Sequence, residues 1–274
     1  LYLAAKSGNA NLIELLLEAN ANPNVAMPMG ETPIMTAARS GTVQGVQLLV
    51  EAGADVNVAE QSREQTALMW ATAQGHVEVA HLLIDAGADL EARSKLRSRL
   101  MFADASNGGQ FDQGIMEQLG GYTALLFAAR SGDIEMARLF LSHEADIEAV
   151  AGNRTSPLVV ATHSGHGDLT QLLLEFGADA NTIGAGYTAL HAAILRGDLE
   201  AVNALLDHGA DVEARLLRPN SVQRASEDWV LKAPLVGATP YWIAASFREA
   251  DIMQALAKAG ADPSLTNEGQ MSRP

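Results

Sequence analysis

The chain has 274 residues, of which 48% are hydrophobic but only 5% aromatic, so alanine and leucine must fill its interior, a mixture that suits helices packed closely through small side chains. Its formal net charge of −15 repels phosphate backbones, which argues against a nucleic-acid partner, and mainly keeps a long surface soluble. The absence of cysteine excludes disulfides, thiolate catalysis and cysteine-ligated zinc; no apolar run reaches membrane-spanning length, and no signal peptide opens at Leu1.

The predicted elements recur with a period of about 33 residues, the length of a stacked supersecondary unit. The first unit, about 1–24, enters at Leu1-Tyr2-Leu3-Ala4-Ala5, breaks at Gly8 and ends its second helix at Asn20-Ala21-Asn22. The second (30–57) starts a short helix at Thr32-Pro33, breaks at Gly41 and closes on Gly53-Ala54-Asp55. The third (64–91) runs from Thr66-Ala67 through Gly75 to Gly87-Ala88-Asp89. An insertion, 92–119, then precedes the fourth (121–148), with Thr123-Ala124, Gly132 and Glu144-Ala145-Asp146. The fifth (153–181) has Ser156-Pro157, Gly165 and Gly177-Ala178-Asp179, and the sixth (186–213) has Thr188-Ala189, Gly197 and Gly209-Ala210-Asp211. A second insertion, 214–236, precedes the seventh (237–264), with Thr239-Pro240 and Gly260-Ala261-Asp262.

The grammar of each unit has a physical reading. A hydroxyl before proline or alanine is a helix start, because its oxygen accepts an orphan N–H and proline has none to lose. A glycine then breaks the first helix. A second helix carries leucines at helical spacing, as in 169–174 or 202–206, and stops at a position wanting a left-handed backbone. Asn20 tolerates that backbone; Glu144 does not, so a strained or altered turn is expected there. The Ala-Asp-Val-Asn or Ala-Asp-Leu-Glu segment that follows is too short for a strand in a sheet and forms one arm of a tight turn.

These residues resemble the ankyrin repeat family. The resemblance rests on Gly30-Glu31-Thr32-Pro33, Thr188-Ala189-Leu190-His191-Ala192-Ala193, Gly75-His76-Val77-Glu78-Val79 and Gly87-Ala88-Asp89-Leu90, and spans nearly the whole chain apart from the insertions. It implies an all-α, helical-repeat solenoid of about seven helix-turn-helix units forming a single array over 1–274, curved, with hairpin turns projecting to one side and protein recognition on a concave face. A lone helix pair cannot bury its apolar side, so each unit needs its neighbours. The first unit lacks a leading hairpin and Asn267-Glu268-Gly269 looks like the opening of an eighth, so the expectation is a segment of a longer protein.

Chemistry is sought and not found. His191 falls where the family's histidine bonds neighbouring turns; His76 and His166 follow helix-breaking glycines. His163 and His166 are separated by Gly165, so they share no regular helical face, and no carboxylate or cysteine completes a tetrahedral set. The hairpin Asp and Glu recur once per unit, whereas a catalytic pair would be singular. Gly120-Gly121 and Gly184-Ala185-Gly186 precede helix starts and form turns, not a phosphate-binding loop. No catalytic residue, cofactor or metal is implied, and no enzyme activity is expected.

Binding is expected on the inner-helix face. Residues after the Ala-Ala position form a row that includes Arg39, Gln74, Arg130, His163, Arg196 and Phe247. The residue before that position is expected to be partly exposed: Leu3, Thr36, Trp70, Phe127, Val160 and Ile243. Trp70 and Phe127, flanked by Arg39 and Arg130, have the composition of an interface hot spot; packing between helices is the competing role. Trp229 and Trp242 complete the partner-binding candidates. Both insertions begin basic, with Arg93, Lys95, Arg97 and Arg99 in one and Arg215, Arg218 and Arg224 in the other. Long loops are tolerated at little entropic cost, yet loops of this length are uncommon without a role, and the two are expected to project from one edge, roughly 30 Å apart at about 10 Å per unit, flanking the groove. The expected function is a monomeric protein-interaction scaffold that binds another protein or peptide of basic or apolar character, without inserting in a membrane; compartment is unassigned. The alternative is a substrate-recruiting segment of a larger multidomain enzyme. A small-molecule pocket beneath an insertion would need a deep cleft lined by Trp229, Met101 or Phe102.

Overall fold

The computed structural model describes residues 1–102, 114–219, 231 and 233–265. Asn107-Gly108-Gly109, Arg224, Trp229 and Asn267-Glu268-Gly269, together with the side chains of Met101 and Phe102, lie outside the described set. The contacts group the chain into two units, Leu1–Leu96 with Gly120–Ala149, and Arg97–Leu119 with Val150–Pro274.

The first unit contains four helix pairs: α1 (Tyr2–Lys6) and α2 (Ala10–Glu18), α3 (Pro33–Ser40) and α4 (Val43–Glu51), α5 (Ala67–Gln74) and α6 (Val77–Asp85), α7 (Ala124–Ser131) and α8 (Ile134–Ser142). The inner helices stack α1 on α3 on α5 on α7, and the outer ones α2 on α4 on α6 on α8. The second unit contains the strands β1 (Arg97–Phe102) and β2 (Gly114–Leu119) and three helix pairs: α9 (Pro157–Ser164) and α10 (Gly167–Glu175), α11 (Ala189–Arg196) and α12 (Leu199–Asp207), α13 (Pro240–Phe247) and α14 (Ala250–Lys258). They stack in the same two rows. The helix pairs occur at the expected positions. The antiparallel β1–β2 ribbon, registered with Arg97 opposite Leu119 and Leu100 opposite Met116, is an addition to the all-α expectation.

Local chemistry explains these boundaries. Thr66, Thr123, Ser156, Thr188 and Thr239 each accept a hydrogen bond from the backbone N–H three residues on, which satisfies an orphan donor of the first turn. Thr32 departs from the expected cap: its hydroxyl is buried and makes no hydrogen bond. The inner helix of the second repeat stops at Gly41, with φ of 74°. Space as well as backbone requires glycine there, because an added Cβ would lie 2.6 Å from the His76 ring of the next repeat. That ring reaches over to Arg39, with Nε2 3.2 Å from its carbonyl oxygen. Glu144 keeps the left-handed turn, at φ of 60°, beside Asn20 at 61°. The turn is therefore strained rather than rebuilt. Arg248 does the same at 64° where the earlier repeats have the helix-breaking glycine.

Within each unit, successive repeats are tied together by alanine-rich inner helices and by a ladder along the hairpins. Ala37, Ala38, Ala71, Ala128 and Ala129 are completely buried, as are Leu49, Leu83 and Phe140 from the outer helices, each large side chain contributing about 1.5–3 kcal/mol. The Asn57 carboxamide accepts from Asp89 N–H at 2.8 Å and donates to the Gly87 carbonyl at 2.9 Å. Asn24 and Asn181 make the same pair of bonds to Asp55 and Gly53, and to Asp211 and Gly209. Before each insertion the ladder residue is a glutamate. Glu91 accepts from Asp146 N–H and Glu213 from Asp262 N–H, both across the inserted segment.

The insertions grow from hairpin tips. In an uninterrupted repeat Met27 N–H donates to the Glu31 carbonyl. Ser94 N–H donates in the same way to Tyr122, and Leu216 N–H to Ala238, with the inserted residues between. An arginine closes each base: Arg93 donates to the Gly121 carbonyl and Arg215 to the Gly237 carbonyl. Arg218 continues the second clamp with bonds to the Ala185 and Asn153 carbonyls. Several cations at the start of the insertions thus hold backbone.

Candidate functional site

The first unit contains a cleft of about 370 Å³, built by three consecutive repeats. Its floor comes from the inner helices and includes Arg39 on α3, Trp70 and Gln74 on α5, and Phe127 and Arg130 on α7. Its rim comes from hairpin tips, with Glu31, Glu60, Arg63 and Gln65. Five of the residues singled out from the sequence therefore meet in one place.

Two stacks organise the floor. The Arg39 guanidinium carbon lies 4.7 Å from the Trp70 ring centroid, joining the second and third repeats. The Arg130 guanidinium lies 5.2 Å from both the Phe127 and Tyr122 rings, which are themselves 5.4 Å apart. Such stacks hold a guanidinium face against a ring and leave its in-plane N–H groups for other acceptors. Burial raises the Tyr122 pKa against the opposing pull of Arg130, so the phenol stays neutral.

The expected partial exposure of the row before the Ala-Ala position is not what the structure has. Trp70 is 9% exposed, Phe127 6% and Val160 7%, Thr36 and Ile243 are buried outright, and of the row only Leu3 is open at 76%. The arginines lying on Trp70 and Phe127 cover those rings, so the accessible groups here are Arg39, Gln74 and Arg130, which are exposed. The Trp70 indole N–H is buried and meets no acceptor.

The rim carboxylates are already engaged. Glu60 is buried and accepts from the backbone N–H groups of Ser62, Arg63 and Gln65, and from the Ser62 hydroxyl. Burial pushes its pKa up, but these hydrogen bonds outweigh it and hold the carboxyl below its ordinary value. Glu31 accepts from the Tyr2 hydroxyl at 2.8 Å, which raises the Tyr2 pKa. Sequence reading missed Glu31, Glu60, Arg63, Gln65 and Tyr122. Their signal was position alone, since each stands on a hairpin tip or just before an inner helix.

The remaining candidates belong to the second unit. His163 lies with its ring 6.1 Å from that of Tyr187, and burial, aided by the Arg196 charge, lowers its pKa. Arg196 donates to the Ser164 carbonyl at 2.6 Å, packing over Gly165. Trp242 and Phe247 are half-buried on α13. Trp229 is outside the described residues. His191 is fully buried in a capping box, its Nδ1 accepting from Thr188 N–H, and burial drives its pKa to about 4. Its Nε2 faces the Ala214 backbone of the next hairpin without reaching hydrogen-bond geometry. Among the described residues no group of three His, Asp or Glu could hold a metal ion, and no helix is long and apolar enough to cross a membrane.

Stacked helix pairs with hairpin tips beside the inner helices define a helical-repeat protein of the ankyrin type. The sequence profile of ankyrin repeats in three copies matches residues 1–94, 100–184, 125–216 and 185–267, and the chain belongs to the ankyrin repeat family. It is similar to the ankyrin repeat and KH domain-containing protein mask-1 of Caenorhabditis elegans, 29% identical over 153 residues, which are 55% of this chain and 5% of that protein. It is 34% identical over 146 residues to the mouse B-cell lymphoma 3 protein homolog, covering 53% of this chain and 29% of that one. With the tyrosine-protein kinase HTK16 of Hydra vulgaris it shares 32% over 102 residues, 36% of this chain and 14% of the kinase. The matches thus span less than a third of each of these relatives. The crystal structure of the human ASB11 ankyrin repeat domain shares the fold, with a TM-score of 0.65 and 21% identity, covering 96% of this chain and 98% of that one. Ankyrin repeats are in general protein–protein interaction modules.

Proposed function

We propose that this chain is a protein-interaction scaffold that docks a partner protein on the inner-helix and hairpin face of its first unit. One observation carries the reading: Arg39 on Trp70, and Arg130 on Phe127 and Tyr122, converge on a single cleft spanning three repeats. Arginine and aromatic residues in a desolvated setting are the groups that dominate protein interfaces. The stacks fix both guanidinium groups before a partner arrives, which lowers the ordering cost of binding. A second reading, recruitment of substrate to a larger enzyme, draws on the kinase relative, in which the matched repeats are a small part of the protein.

The test is affinity capture by the intact chain beside an Arg39→Gln, Arg130→Gln double variant whose helicity is verified by circular dichroism. Partners retained by the parent and lost by the variant support the proposal. An identical set of partners, held with equal affinity, refutes a docking role for this cleft.

A further inference from the structure

We infer that the first-unit cleft accepts the carboxylate of an aspartate or glutamate side chain carried by a peptide segment of the partner. The inference rests on the docking face proposed above and adds the chemistry of what docks. It runs against the expectation from overall charge, since a chain with a net charge of −15 favours a basic partner at long range.

The local balance has the opposite sign. Three arginines, Arg39, Arg63 and Arg130, line the cleft against two carboxylates, Glu31 and Glu60. Both carboxylates already accept hydrogen bonds, Glu60 from its own hairpin backbone and Glu31 from Tyr2. Among the described residues the side chains of Arg39 and Arg63 donate to no protein acceptor; Arg39 lies on the face of Trp70, with its charge felt by the Tyr2 phenol. Gln65 and Gln74 place further amide donors around the same space. The cleft is therefore rich in donors and poor in available acceptors, which suits a ligand that only accepts.

The charge count also decides which anion. Among the described lining residues, two glutamates against three arginines leave one net positive charge, which a carboxylate neutralises. A phosphoryl group would bring nearly two negative charges and leave the cleft negative beside the buried, ionised Glu60. A planar carboxylate also matches the in-plane donors of a stacked guanidinium, which can bind it through two parallel hydrogen bonds.

The experiment selects displayed random peptides on the whole chain carrying Trp229→Phe and Trp242→Phe, which leaves Trp70 as the sole indole. Binding of the resulting synthetic peptides is read by Trp70 fluorescence. Enriched peptides are expected to carry Asp or Glu, and replacing that residue with Gln or Asn should weaken binding roughly tenfold or more, the scale of a charge-assisted hydrogen bond. The preference for Glu over Gln should vanish in Arg39→Gln and, independently, in Arg63→Gln, which touches no aromatic ring of the stacks. Peptides that change Trp70 fluorescence without an acidic residue would overturn the carboxylate and leave the docking cleft standing. Peptides that bind without affecting Trp70, or a selection that enriches none, would overturn both.

Discussion

Replacing Trp70 separates its role in holding the fold from its role under a partner. The ring is 91% shielded, by its own repeat and by the Arg39 guanidinium. Removing it opens a large cavity between the second and third repeats, and truncation of a buried aromatic costs about 3–5 kcal/mol. Arg39→Ala removes only the exposed stack, worth about 0.5–1 kcal/mol. Trp70→Phe keeps most of the packing and deletes an indole N–H that is buried without an acceptor, a defect that itself costs about 1–3 kcal/mol. Those opposing terms bring Trp70→Phe to within about 1 kcal/mol of the parent. Urea unfolding followed by far-ultraviolet circular dichroism measures all three. The reasoning fails if Trp70→Ala costs less than about 1 kcal/mol, as an exposed residue would, or if phenylalanine destabilises as much as alanine. Docking is therefore best tested at Arg39, not at Trp70.

Three further outcomes follow from the same structure. Glu144→Gly should stabilise the chain by about 1 kcal/mol, because a side chain is forced into the left-handed region at φ of 60°; thermal unfolding showing no gain would mean the turn carries no strain. Asn57→Ala removes a donor and an acceptor of the hairpin ladder and should cost about 1–2 kcal/mol, while Asn57→Asp, which keeps only the acceptor, should cost about half; equal losses would contradict the two-bond account. His191 is held neutral, with its pKa lowered from 6.5 to about 4. The unfolded chain therefore takes up a proton first, and stability present above pH 6.5 is lost as pH falls toward 4, by about 2 kcal/mol between pH 7.5 and pH 5. The lowered His163 acts in the same direction, and a flat profile of urea midpoint over that window would refute both.

Most of the fold was legible because its signals are local. Thr66, Thr123 and Ser156 cap helices that begin one residue later, and a left-handed turn at Gly41 needs no knowledge of the rest of the chain. What was not legible depends on residues distant in sequence. Trp70 is 9% exposed and an arginine 31 positions earlier lies on its face, so a helix-face argument assigned it too much exposure. Strands 97–102 and 114–119 pair across eleven intervening residues, and the Asn107-Gly108-Gly109 stretch between them reads as part of a long loop because the two runs are far more than a tight turn apart. Basic residues in the insertions suggested a binding loop, yet Arg93 and Arg215 bond backbone carbonyls at the loop bases. The rim of the cleft escaped notice because Glu60 becomes visible only when its hairpin folds back and donates three backbone N–H groups to it.

The docking face itself is tested most directly by hydrogen–deuterium exchange on the chain with and without a captured partner. Slowed exchange on binding is expected around Glu60–Gln65 and at the C-terminal ends of the first-unit inner helices, near Arg39, Gln74 and Arg130, with the outer helices 43–51 and 77–85 unchanged. Protection confined to those outer helices, or to the second unit alone, would contradict the account.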